Sequence, residues 1–239
     1  MRQKLLSLGH PRVETIDVKS WEWLPAVLLG RSFKFYLDKL DALAQDLISS
    51  EETEIATTTT SGNEPRLSVV GHSAGGWLAR IWMGEETYDG QTYDGQKYVD
   101  TLLTLGTPHL SVEEYPFGRV SEKRRSEGPM SEEARGSSLR FSNEFCDAST
   151  FPNCKIICIA GDGIRGGRDA PWAINASYKC TCRKEDVSGD GVCPIESAIL
   201  PGCHKSLILD DVIHSPVANR RSKWYGDREI VEQWDGLLC

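Results

Sequence analysis

Apolar and polar residues alternate over much of residues 13–18 (Val-Glu-Thr-Ile-Asp-Val), with Ile16 and Val18 two apart, and the stretch reads as a strand. From Phe33 to Ile48 the period lengthens. Tyr36, Leu40, Leu43 and Leu47 recur at helical spacing and predict an amphipathic helix. Short apolar runs at 67–70, 99–105, 155–160 and 206–209 are bounded by polar or Gly/Pro-containing stretches and predict strands. Trp77, Leu78, Ile81 and Trp82 give residues 77–83 one apolar face, so a helix is expected between the first two of those strands. Further helices are expected at 139–145 and at 229–238. Strands separated by helices define the α/β class: a mostly parallel central sheet with helices on both faces, in a single domain spanning residues 1–239.

Three stretches break the periodicity. Residues 51–65 are polar, include four consecutive threonines from Thr57, and read as a surface connection. Residues 113–138 are charged and Gly/Ser-rich, either a lid or a surface loop. Between them stands a tandem repeat, Thr87-Tyr88-Asp89-Gly90-Gln91 followed by Thr92-Tyr93-Asp94-Gly95-Gln96, which reads as a duplicated surface loop. Two copies fall short of the three stacked units a solenoid needs.

Composition narrows the partners. The 239 residues suffice to bury a core without a metal or disulfide, and a 39% hydrophobic share excludes wholesale disorder. A net charge of −8 repels phosphate backbones and excludes nucleic acid as the expected partner. No apolar run approaches the ~20 residues of a membrane span. Glu14, Asp17 and Lys19 precede any long apolar core, so residues 1–20 are not a secretory signal. The eight cysteines all lie from Cys146 onward. Cys180, Cys182, Cys193 and Cys203 with His204 are close in sequence, yet their spacing fits no usual zinc template. Free thiols are expected ahead of one or two disulfides, with zinc last. Cys158, inside an Ile-Ile-Cys-Ile run, reads as a small core residue.

The chemistry concentrates at Gly71-His72-Ser73-Ala74-Gly75, a Gly-x-Ser-x-Gly sequence between a predicted strand and a predicted helix. That context is a nucleophile elbow: a sharp turn lifts the Ser73 hydroxyl above the sheet, and the flanking glycines avoid backbone collisions. The Ala74 amide is then expected to face a developing oxyanion. A serine nucleophile needs a base, and the base an orienting acid, in the chain order Ser, acid, His. Only His204 and His214 lie late enough. His214 follows the last strand, where the base belongs, whereas His204 precedes it. His109, after the 99–105 strand, is expected to line the cleft. Trp77 is a second cleft candidate, and Trp21, Trp23 and Trp77 otherwise read as core. Asp162, directly after the 155–160 strand, and Asp190, in a tight Gly-Asp-Gly turn 24 residues before His214, both remain as the acid.

The order and spacing of Trp21-Glu22-Trp23-Leu24, the elbow, Thr104-Leu105-Gly106-Thr107-Pro108-His109, the Asp190 turn, His214-Ser215-Pro216 and Trp224-Tyr225-Gly226 resemble the lipase and esterase branch of the α/β-hydrolase superfamily. The chain is most similar there to plant, algal and cyanobacterial lipase-like serine hydrolases. The resemblance runs from about Trp21 to Trp234 and selects Asp190 as the acid. It departs from the family at Cys193, where Val is usual. It implies a serine carboxylic-ester hydrolase acting on a lipid or other apolar acyl ester, with no metal or organic cofactor. Peripheral membrane contact and a plastid location come with it, any targeting peptide lying upstream of Met1. The superfamily also contains thioesterases and inactive members, so a thioesterase and an impaired scaffold or binding protein stand as alternatives. A second oxyanion donor in this fold comes from a Gly-rich loop before the first helices. No such loop lies upstream of residue 33, so the N-terminal strands are expected to be absent and the chain to begin past that loop.

Overall fold

The computed structural model describes residues 1–58, 66–112, 137–216 and 222–238. Its sheet contains β1 (Leu67–His72), β2 (Val99–Leu105), β3 (Lys155–Gly161) and β6 (Lys205–Leu209). The four lie in the order β1-β2-β3-β6, all parallel. The short strands β4 (Ile164–Arg165) and β5 (Ser188–Gly189) pair antiparallel, and β7 (Val212–Ile213) pairs parallel with β8 (Lys223–Trp224). The α-helices among the described residues are α1 (Arg2–Ser7), α2 (Ser20–Leu29), α3 (Lys34–Thr58), α4 (Ala74–Met83), α5 (Ser138–Phe145), α6 (Trp172–Cys182), α7 (Ile195–Ala198) and α8 (Arg228–Val231).

Helices cover both faces of the sheet, as the alternation of strands and helices predicts. Side chains along a strand point alternately to its two faces. Leu102, Ile156 and Cys158 accordingly join Phe33, Leu37, Trp77 and Leu78 in one core. Their chain neighbours Leu103, Leu105, Ile157 and Ile159 join Leu5, Ile230, Val231 and Trp234 in the other. The inner strands β2 and β3 are buried on both faces, which is why they read as continuous apolar runs rather than alternating ones.

Several expectations need correction. Residues 13–18 form no strand, because alternation makes a strand only where a neighbour completes the ladder. Here the carbonyl of Val13 accepts from Arg2 Nε and that of Asp17 from Lys39 Nζ. Helix α3 continues ten residues past Ile48, through part of the expected connection, and 59–65 lie outside the described residues. The expected 229–238 helix is two short pieces, α8 and a 3-10 turn at Asp235–Leu237. The lid or loop at 113–138 falls outside the described residues up to position 136, and Ser138 opens α5.

The tandem repeat is not a plain surface loop. Tyr88 and Tyr93 are both buried. The Tyr88 hydroxyl accepts the Phe33 amide at 2.9 Å and bonds Ser138 at 2.6 Å, while the Tyr93 hydroxyl donates to Asp38 at 2.7 Å. Each copy sends a tyrosine inward and turns at an aspartate of positive φ, 48° at Asp89 and 52° at Asp94. Among the described residues no helix is long and apolar enough to cross a membrane. No disulfide joins the described cysteines, and no three His, Cys, Asp or Glu side chains among them gather around a metal position.

Candidate active site

Strand β1 ends at His72, and α4 begins at Ala74, so Ser73 carries the whole reversal. Its backbone has φ 54° and ψ −131°, a conformation costly to any residue with a Cβ. Two contacts hold it there. The Ser73 amide donates to the Leu105 carbonyl at 3.0 Å, and the Gly76 amide to the Ser73 carbonyl at 3.2 Å. Gly71 is required by close approach, since a side-chain carbon there would lie 2.6 Å from Gly76 Cα. Gly75 is not. A carbon on it would meet only the Tyr36 hydroxyl, at 3.4 Å, an ordinary contact. The second steric constraint falls on Gly76, whose added carbon would overlap the Thr107 side chain.

The structure brings Ser73, His214 and Asp190 into one chain of hydrogen bonds. Ser73 Oγ donates to His214 Nε2 at 2.9 Å, and His214 Nδ1 donates to Asp190 Oδ2 at 2.8 Å. Asp190 is 1% exposed, so its charge must be met locally. Its Oδ1 accepts the amides of Val192 at 2.9 Å and Cys193 at 2.7 Å, made available by the turn at Gly191. Its Oδ2 accepts the Tyr225 hydroxyl at 2.9 Å besides His214. Tyr225 is anchored in turn by the Gly161 amide, which donates to the same hydroxyl at 2.7 Å. Burial, then the nearby Asp190 charge, holds the Tyr225 phenol well above its ordinary pKa, so it stays a donor. Cys193 touches Asp190 through its backbone amide, which any residue but proline supplies.

Asp162, the other acid candidate, accepts the Asp211 amide at 3.1 Å instead. It pins the loop between β6 and β7 and makes no contact with His214. His204 precedes β6 and is exposed, at the end of the strand away from Ser73.

His72 fixes the base from the other side. Its Nε2–H donates to the His214 carbonyl at 2.9 Å, its ring lies 4.7 Å from the His214 ring, and the His214 amide donates to the Asp190 carbonyl at 2.8 Å. Burial, followed by the neighbouring His214, lowers the His72 pKa from 6.5 to about 4.

Two cleft expectations are corrected. His109 is fully buried: Nδ1 faces Arg80 Nη1 at 3.2 Å and Nε2 faces Thr104 Oγ1 at 3.1 Å. Arg80, itself fully buried, caps the end of α5 by donating to the Ser142 and Cys146 carbonyls. That guanidinium recruits His109 as a neutral acceptor, and burial ahead of the Arg80 charge holds the imidazole well below its usual pKa. Trp77 is 2% exposed and packs edge-on against Phe33 in the core. Trp23 lies in the same aromatic cluster, whereas Trp21 is 68% exposed, contrary to a core role.

Two results are expected from this geometry. In the unfolded chain His72 and His109 take up protons near 6.5, whereas in the folded chain His72 resists until about 4 and burial holds His109 well below its usual range. The unfolded state therefore binds more protons in that interval, and stability should fall as pH drops from about 6.5 towards 4. Denaturation midpoints measured at pH 7.5 and pH 5 check this, and equal midpoints would contradict it. Gly106, at φ 53°, faces the acid so closely that an added carbon would overlap Asp190 Oδ2 and lie 2.8 Å from the Tyr225 hydroxyl. Gly106→Ala should therefore destabilise the fold, the backbone conformation alone costing about 1–2 kcal/mol. It should also cut turnover at Ser73 at least ~10-fold. A variant with parental melting temperature and rate would show that the close approach is not real.

A parallel sheet covered on both faces, with a strand–Ser–helix elbow at its C-terminal edge and a histidine and carboxylate arriving from later loops, is the α/β-hydrolase arrangement. No protein-family model matches the chain, and no curated protein matches it. Among solved structures it is similar to the mature form of the lipase BlEst2 of Bacillus licheniformis. The two are 14% identical with a TM-score of 0.48, over 87% of this chain and 75% of that one. The propeptide form of the same lipase gives 14% identity and a TM-score of 0.49, over 87% of this chain and 41% of that one.

Proposed function

We propose that the chain is a serine hydrolase of carboxylic esters, acting on a lipid or other apolar acyl ester. The observation that carries this reading is the Ser73–His214–Asp190 relay, 2.9 and 2.8 Å long, built on a serine held at φ 54°. Ser73 Oγ attacks the ester carbonyl while its proton passes to His214 Nε2. Asp190, doubly held by backbone amides and by Tyr225, stabilises the imidazolium that forms and keeps Nδ1 protonated beforehand. The Ala74 amide supports the oxyanion. The intermediate collapses with the alcohol taking the proton from His214, leaving an acyl-Ser73 ester. Water then repeats the cycle with His214 as base.

A fluorophosphonate probe tests the reading, because only an activated serine is phosphonylated. Labelling of the purified chain that vanishes in Ser73→Ala, together with hydrolysis of p-nitrophenyl butyrate, is the expected result. An unlabelled, inactive but folded protein would instead identify an impaired scaffold.

A further inference from the structure

Tyr36 differs from the buried tyrosines Tyr88, Tyr93, Tyr178 and Tyr225. The hydroxyls of Tyr88, Tyr93, Tyr178 and Tyr225 are each hydrogen-bonded: to Phe33 and Ser138, to Asp38, to Ile164 and Gly191, and to Asp190 and Gly161. The Tyr36 hydroxyl has no partner among the described residues, although the side chain is only partly exposed. No buried side-chain nitrogen or oxygen among the described residues lacks a partner, so this hydroxyl reaches solvent and is open to a bound molecule. The hydroxyl lies 3.4 Å from where a side-chain carbon on Gly75 would be, so it stands against the residue next but one to Ser73.

The ring is held in that position. Tyr36 lies in the first turn of α3, its amide donates to the Phe33 carbonyl at 2.9 Å, and its ring centroid is 5.5 Å from that of Trp23. Desolvation raises the phenol pKa to about 12, so the group is a protonated donor at any working pH. It reaches the elbow from α3, an element separate from those that carry His214 and Asp190.

Resting on the ester-hydrolase reading above, we propose that the Tyr36 hydroxyl donates a hydrogen bond to the carbonyl oxygen of the bound ester, beside the Ala74 amide. When Ser73 Oγ bonds to the carbonyl carbon, the π electron pair moves onto that oxygen and the serine proton moves to His214 Nε2. The oxyanion then accepts from Tyr36 O–H and Ala74 N–H with neither proton transferred. As the carbonyl re-forms, the alkoxide departs with the proton from His214. The donors are worth most when the charge is fully developed, so their effect belongs to turnover rather than to substrate affinity.

Tyr36→Phe removes one oxygen and keeps the ring packed between α2 and α3. Against p-nitrophenyl butyrate, we expect kcat to fall about 10²–10³-fold, the range for removing one oxyanion donor, with KM changed less than ~3-fold. Affinity for an alkyl trifluoromethyl ketone, which forms the tetrahedral adduct on Ser73, should fall in parallel with kcat/KM, and the melting temperature should stay within ~2 °C. A variant with kcat within 3-fold of the parent overturns the Tyr36 assignment while leaving the hydrolase reading intact. So does one whose loss lies in KM or in melting temperature, since that is a packing role. A parent chain that neither hydrolyses the ester nor labels with fluorophosphonate overturns the hydrolase reading itself, and the Tyr36 assignment with it.

Discussion

Ser73→Ala is expected to lower kcat/KM for p-nitrophenyl butyrate by about 10⁶-fold while leaving the melting temperature within ~2 °C of the parent. The size follows from what the hydroxyl does. In the proposed mechanism it is the only group of the relay that bonds to substrate carbon, so its loss leaves donors and a base with nothing to activate. The near-silence on stability follows from what holds the turn. The Ser73 amide bonds Leu105 and its carbonyl bonds Gly76, both through backbone that alanine retains. Among the described residues the hydroxyl itself makes one bond, to His214 Nε2. Alanine also keeps the same Cβ, so the backbone conformation at φ 54° is no more strained than before. Undiminished hydrolysis by the purified variant would exclude Ser73 as nucleophile. A large drop in melting temperature would mean the hydroxyl has a structural duty not visible in its contacts.

Asp190→Asn should cost about 10⁴-fold in kcat, and Asp162→Asn less than ~3-fold. The asymmetry comes from hydrogen-bond direction. Asp190 Oδ1 accepts two backbone amides, from Val192 and Cys193, so an asparagine must place its carbonyl oxygen there. Its NH₂ then occupies the Oδ2 position, facing His214 Nδ1–H and Tyr225 O–H, both of them donors. The imidazole can relieve the conflict only by moving its proton to Nε2, which destroys its capacity to accept from Ser73. At position 162 the amide oxygen simply continues to accept from Asp211. If the two variants exchange behaviour, the orienting acid is Asp162, and the 2.8 Å contact to His214 has been misread.

Tyr225→Phe separates support from chemistry more gently. It removes one of the two Oδ2 donors and leaves the Gly161 amide without its acceptor, so a loss in both stability and rate follows. Burying an unsatisfied amide costs about 1–3 kcal/mol.

The parts legible in the sequence were those whose signal is local. The strand boundaries at Val99 and Lys155, and the elbow at Ser73, are set by apolar runs and by a turn that only certain residues permit. His214 was legible because its place after the final sheet strand follows from chain order. Asp190 was not separable from Asp162 by residue pattern. Both follow strand-like segments, and what distinguishes them is the loop that each one reaches. Tyr225 and Gly106 had no local signature as supports of the acid, since each meets Asp190 only after β7 pairs with β8 and β2 settles beside β3. His109 and Trp77 were misplaced for one reason. Position near a strand end or an elbow does not say which side faces water, and Arg80 and Phe33 draw both side chains inward. Residues 13–18 show the opposite failure, a mostly alternating pattern with no hydrogen-bonding neighbour in the described sheet.

The carboxylate of Asp190 is gripped by its own turn, by the His214 loop and by Tyr225, against the glycine that follows β2. These contributors are scattered from position 106 to position 225, and the serine they serve lies at 73. During synthesis, therefore, Ser73 leaves the ribosome well over a hundred residues before Asp190, His214 and Tyr225. A nascent chain long enough to fold β1, α4 and β2 carries the strained turn but no relay. On the proposed reading, reactivity should appear only when the last segments have emerged and docked, so that probe labelling would read completed folding rather than the elbow alone.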